Sequence, residues 1–141
     1  MRALVVERFG EPKDLVLRDW PEPVAGPGEV LVEVHAMGLN FPDLLVIAGT
    51  YQNLPPLPFV PGKEAAGVVR AIGTGVTAFA PGDRVAAQLE AGAFAEVVAV
   101  PAVHCYRLPD AVSMERAAAM VLVYQTAWFS LVDRARLRPG D

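Results

Sequence analysis

The chain has 141 residues, 53% of them hydrophobic, and a formal net charge of −4 at pH 7. That length supports one domain with a buried core, and the acidic balance argues against a nucleic-acid partner, which needs a basic face. The single cysteine, Cys105, excludes an intrachain disulfide and a cysteine-built zinc site.

Residues 2–7 read as a short strand, and residues 15–20 as a second one after the turn at Gly10-Glu11-Pro12. Pro21, Pro23 and Pro27 stiffen the connection that follows, because proline fixes its own φ and biases its predecessor to extended backbone. Residues 29–36 form the clearest strand. Val30, Val32 and Val34 alternate with Leu31, Glu33 and His35, the period-two pattern of a half-buried strand.

Asn40 then reads as a helix N-cap, with Pro42 and Asp43 in the first turn and Gly49 at the end. Residues 53–61 contain four prolines and read as a surface loop near the substrate entrance. Further strands are expected over 65–72, 84–87 and 93–100, and Cys105 lies in a strand-like run as a buried structural thiol. Ser113 caps a helix expected to reach Met120, and a last helix is expected over 124–137. Arg134, Arg136 and Arg138 solvate its end and favour its dipole. Short strands separated by Gly/Pro turns, with helices gathered at the end, predict a mainly β, barrel-like domain.

No apolar run approaches the roughly 20 residues of a membrane span, and Glu7 brings a charge too early for a secretory signal. A soluble, cytoplasmic protein without a membrane partner is expected. Gly73-Thr74-Gly75-Val76-Thr77-Ala78 fits G-x-G-x-x-A after a strand, but Pro81-Gly82 follows at once. A dinucleotide fingerprint must open a helix, so this segment reads as a hairpin turn.

Two segments carry a family resemblance: Leu39-Asn40-Phe41-Pro42-Asp43 and Val60-Pro61-Gly62-Lys63-Glu64-Ala65-Ala66-Gly67. With Pro81-Gly82-Asp83-Arg84-Val85 and Gly92-Ala93-Phe94-Ala95-Glu96, they resemble the zinc-independent quinone oxidoreductase branch of the medium-chain dehydrogenase/reductase superfamily. The resemblance implies a GroES-like, partly open β-barrel over residues 1–123. It implies a linking helix over 124–141, leading to a Rossmann domain absent from this chain. The family's glycine-rich loop would follow about ten residues beyond Asp141, so the chain is expected to be a fragment, inactive alone.

The zinc alcohol dehydrogenases carry Cys and His where Asn40 and Lys63 stand, so the resemblance implies no metal. It implies an NADPH-dependent reductase of quinones or α,β-unsaturated carbonyls, homodimeric as a full-length protein. Asn40, Tyr51 and Lys63 are the implied catalytic residues, and Asn40, Tyr124 and Thr126 the implied cofactor contacts. The Asn40 oxygen is expected to cap its helix while the amide NH2 faces the cleft. Lys63 either favours a developing oxyanion or, the preferred reading, pairs with Glu64 or points to solvent, since exposure is the default for lysine. Glu64 is expected to order the cleft floor. Leu45 stands where some quinone reductases carry a Tyr, which leaves the proton donor open.

Two alternatives remain. Leu131-Val132-Asp133-Arg134-Ala135-Arg136-Leu137-Arg138-Pro139-Gly140 also resembles enoyl-reductase domains acting on acyl-thioesters. A complete 141-residue chain would instead be a non-enzymatic GroES-like interaction module, with a large apolar patch exposed.

Overall fold

A computed structural model describes residues 1–138 and 140–141. Among these residues there are seven strands: β1 (Arg2–Val5), β2 (Val16–Asp19), β3 (Glu29–Gly38), β4 (Glu64–Ile72), β5 (Arg84–Gln88), β6 (Val97–Pro101) and β7 (Cys105–Arg107). β1 and β2 form a two-stranded antiparallel sheet. The others form a five-stranded antiparallel sheet in the order β6-β3-β4-β5-β7, whose edges do not close into a barrel. The expected mainly β, open architecture is therefore present.

β3 lies inside the sheet, between β4 and β6. Val30, Val32 and Leu31 are all buried, so its first half is covered on both faces, and the expected half-buried pattern begins only at Glu33. Val30, Val32, Val69, Val85, Val98 and Val100 pack into one core around Cys105. Gly67 of β4 faces β3 so closely that a Cβ there would lie 1.9 Å from the Glu33 carbonyl oxygen. Only glycine allows that approach.

The expected strand over 93–100 begins at Val97 instead. Residues 93–96 run as a bridging segment: the Phe94 N–H donates to the Pro61 carbonyl (3.0 Å), and the Leu4 N–H donates to the Phe94 carbonyl (2.9 Å). Their backbone groups are thus satisfied by neighbours on both sides rather than by a regular ladder. The proline-rich loop is also less exposed than expected. Phe59, Val60 and Pro61 are buried, and Phe59 pairs with Val6 of the N-terminal segment. His104 lies in a 3₁₀ turn (Ala102–His104), not in a strand.

Helix α1 (Phe41–Ile47) follows β3 and is pinned by Val46 and Ile47 against Val6 and Phe59. α2 (Met114–Ala118) packs on β3, β4 and β5, and α3 (Val121–Trp128) packs on β5. The Ser113 hydroxyl accepts the Arg116 N–H at 3.3 Å, as its N-cap role requires. The buried centre of the contact is Ala66, Ala86, Ala117, Ala118 and Val121. Such small side chains let helix and sheet backbones approach closely. The last helix differs from expectation at both ends: it begins at Val121, and after Trp128 it widens into a π-helical stretch, Phe129–Arg134.

Candidate functional site

The site begins where β3 ends. Gly38 hands the chain to Asn40, whose extended backbone (φ −125°, ψ 155°) makes it the N-cap of α1. The Asp43 carboxylate reaches back to accept the Asn40 N–H at 2.8 Å, fixing the entry into the helix. The Asn40 side chain turns toward β4, and its Nδ2 donates to Glu64 Oε1 at 2.7 Å. The expectation that its NH2 faces the cleft is thus half corrected. One N–H is held by Glu64, and an amide nitrogen carries two.

Glu64 is 1% exposed. Its second oxygen, Oε2, accepts the backbone N–H of Leu122 in the first turn of α3 at 2.8 Å. First-turn N–H groups have no intrahelical acceptor, so this carboxylate meets a standing need. Gly38 makes room for it: a Cβ there would lie 2.1 Å from Glu64 Oε1 and 2.6 Å from the Ala118 carbonyl oxygen. The expected ordering role of Glu64 acquires specific partners, Asn40 on one side and α3 on the other.

Lys63 overturns the preferred expectation. It is 4% exposed and pairs with neither Glu64 nor solvent. Nζ donates to the Glu90 backbone carbonyl at 3.0 Å, lies 3.5 Å from Glu90 Oε2, and sits 4.5 Å from the centroid of the Tyr51 ring. The reason is the strand alternation that starts here: consecutive side chains leave on opposite sides. Glu64 goes to the helices, and Lys63 goes under Tyr51 toward the loop at Glu90. A desolvated ammonium over an aromatic face is favourable by about 1–2 kcal/mol.

Asp43 completes the buried polar group and is fully enclosed. Burial pushes its carboxyl pKa up, the Asn40 N–H and the Lys63 charge oppose the rise, and Glu64 adds to it. Its Oδ1 has no hydrogen-bond partner among the described residues. Asn40, Asp43, Lys63, Glu64 and Tyr51 are thus one neighbourhood, built from α1, the start of β4 and the loop between them.

Tyr124 and Thr126 lie on α3. Tyr124 is 63% exposed and lines an apolar groove of about 330 Å³ with Tyr106, Met120 and Val121. Thr126 Oγ1 donates to the Leu122 carbonyl at 2.8 Å, which leaves its oxygen free to accept. Neither side chain hydrogen-bonds to Asn40. Their link to it runs through Leu122 and Glu64. Glu90 and the Leu122 N–H are members that sequence reasoning missed. A backbone donor leaves no mark in a sequence, and Glu90 lies 27 residues from Lys63.

Among the described residues no three His, Cys, Asp or Glu side chains form a metal-ligand group. The Gly73–Gly75 segment is a turn, with the Gly73 N–H donating to the Glu29 carbonyl at 2.8 Å and no helix after it. Among the described residues no helix is long and apolar enough to cross a membrane. Burial pushes the Cys105 thiol up to about 12, so it behaves as an inert core group.

Residues 26–110 match the alcohol dehydrogenase GroES-like domain. The rat synaptic vesicle membrane protein VAT-1 homolog is 44% identical over 99% of this chain, which spans 35% of that protein's length. The crystal structure of the human VAT-1 homolog-like protein superposes with a TM-score of 0.96 at 41% identity, covering 99% of this chain and 45% of that one. The Escherichia coli quinone oxidoreductase complexed with NADPH superposes with a TM-score of 0.89 at 34% identity, covering 98% of this chain and 42% of that one. The chain belongs to the alcohol dehydrogenase GroES-like domain family and, within the medium-chain dehydrogenase/reductase superfamily, groups with VAT-1 and quinone oxidoreductase-like relatives.

Proposed function

We propose that this domain forms the acceptor side of an NADPH-dependent, zinc-independent reductase of quinones or α,β-unsaturated carbonyls. The observation that carries the reading is the Asn40 amide, held by Glu64 at 2.7 Å and flanked in sequence by the exposed Leu39 and Phe41. Its second N–H is a neutral donor at an apolar surface, suited to a carbonyl oxygen that gains negative charge.

The donor set does not suit zinc. Asn40 offers an amide, and the Lys63 ammonium, which has no lone pair to give, is turned toward Glu90 and Tyr51. An NADPH reductase therefore fits these residues better than a zinc alcohol dehydrogenase. NADPH, when bound, supplies the hydride. The chain's own residues orient the acceptor: Asn40 donates to its carbonyl oxygen, and the Tyr51 ring, braced from beneath by Lys63, offers a flat apolar wall.

A donor aimed at developing negative charge is worth about 10²–10³ in rate. Lys63 contributes through Tyr51 and through its buried positive charge, since its ammonium hydrogen bonds to Glu90. In this reading Thr126, whose oxygen remains an acceptor, receives an N–H from the nicotinamide carboxamide, and Tyr124 lies on the same helix. The helical stretch from residue 124 then leads toward the cofactor domain, in a cytoplasmic homodimer.

The test is NADPH oxidation by the whole protein with a quinone, a small enone and an acyl-thioester. Turnover with quinone or enone, unaffected by chelators, is the expected result. Preference for the thioester would favour the enoyl-reductase alternative. No oxidation with any acceptor, and no NADPH binding, would leave the interaction module.

A further inference from the structure

We infer that Glu64 is a positioning residue that ties the acceptor side of the cleft to the cofactor side; the inference rests on the reductase reading above. Its carboxylate is a two-ended clamp. Oε1 holds the Asn40 side chain at 2.7 Å, and Oε2 holds the Leu122 N–H at 2.8 Å. Asn40 heads α1, and Leu122 stands in the first turn of the helix that carries Tyr124 and Thr126.

Three features show a built arrangement. Glu64 is 1% exposed, so water does not compete for its oxygens. Gly38 clears the space the carboxylate occupies. The alanines of α2, β4 and β5 bring the start of α3 within reach of a glutamate side chain. Both partners of Glu64 are donors, and a carboxylate accepts at both oxygens. A glutamine has only one accepting end. It must abandon the Leu122 N–H or force the Asn40 amide to turn round, and either choice uncouples the two sides.

The test separates this inference from the reductase reading because its first readout needs no activity. Amide-resolved hydrogen exchange is measured on the whole wild-type protein without substrate or NADPH. The Leu122 amide is expected to exchange at least about tenfold more slowly than those of Val121 and Val123. Equal rates would overturn the inference without any variant having to fold.

In Glu64→Gln the Leu122 protection is expected to fall by about tenfold, with KM for NADPH rising and kcat falling together per folded molecule. Adding Asn40→Asp gives the glutamine NH2 an acceptor and frees its oxygen for Leu122. Leu122 protection is expected to return in the double variant, while turnover, which needs the Asn40 donor, stays low. Unchanged Leu122 protection in Glu64→Gln together with wild-type KM and kcat, or lost protection that does not recover in the double variant, would overturn the clamp. Absence of NADPH turnover by wild type, with Leu122 protected, would overturn only the reductase reading.

Discussion

Lys63 and Glu64 are chain neighbours, both buried and both ionisable, yet they are held in different ways. Glu64 meets two short N–H donors from two separate helical segments, one at each oxygen. Lys63 has one good acceptor, a looser contact to a Glu90 side chain that is 85% exposed, and the face of Tyr51. A π-face and a solvated carboxylate tolerate movement, whereas a bridging carboxylate does not. The difference assigns a fixed frame to Glu64 and an adaptable wall to Lys63 and Tyr51, the wall that would meet the acceptor in the proposed reductase.

The largest expected effect breaks the rigid half. Glu64→Ala strands the Asn40 and Leu122 N–H groups, and each unsatisfied buried donor costs about 1–3 kcal/mol. A stability loss of about 3 kcal/mol is expected, read from hydrogen exchange of the β3 and β4 amides in the whole protein. A loss below about 1 kcal/mol would make the two residues equivalent.

Lys63→Met sharpens the other half. Methionine keeps the length of the stem and removes a charge whose carboxylate partner, Glu90, is exposed and returns to water rather than being left buried and unpaired. Less than about 1 kcal/mol is expected, with altered preference among quinones of different size as Tyr51 loosens. A loss as large as that of Glu64→Ala would show Lys63 to be equally fixed.

The smallest effect concerns Asp43, which borders both. Its pKa lies above the ordinary value of 3.8, chiefly through burial. The folded state therefore holds this proton more tightly than the unfolded chain. The stability it contributes is present in full below 3.8 and is lost as pH rises through the folded value. Asp43→Asn keeps an acceptor for the Asn40 N–H and removes the titration. A flatter thermal stability profile across that window is expected, with no loss at neutral pH. A steeper profile would assign the titration to another group.

Much of the frame was legible because local rules and burial agree. The alternation of Val30, Val32 and Val34 marks β3, Ser113 marks the start of α2, and Pro81-Gly82 rules out a helix after Gly73-Thr74-Gly75. Residues 93–96 misled because Ala-Phe-Ala is apolar in the manner of a strand. Their backbone partners come from Pro61, Gly62 and the N-terminal strand, which no local pattern announces. Lys63 misled because exposure is the rule for lysine. Its exception depends on Tyr51 and Glu90, which only the fold brings under one strand end. The shift from α to π at Phe129 likewise lay beyond a reading of helix propensity.

The most direct test of the account is the steady-state kinetics of Asn40→Ala in the whole protein, with NADPH and a quinone. The account predicts a kcat/KM for the quinone lower by about 10²–10³-fold, with NADPH still binding. Wild-type-like quinone kinetics in this variant would contradict it, because the acceptor would then have no need of the Asn40 donor.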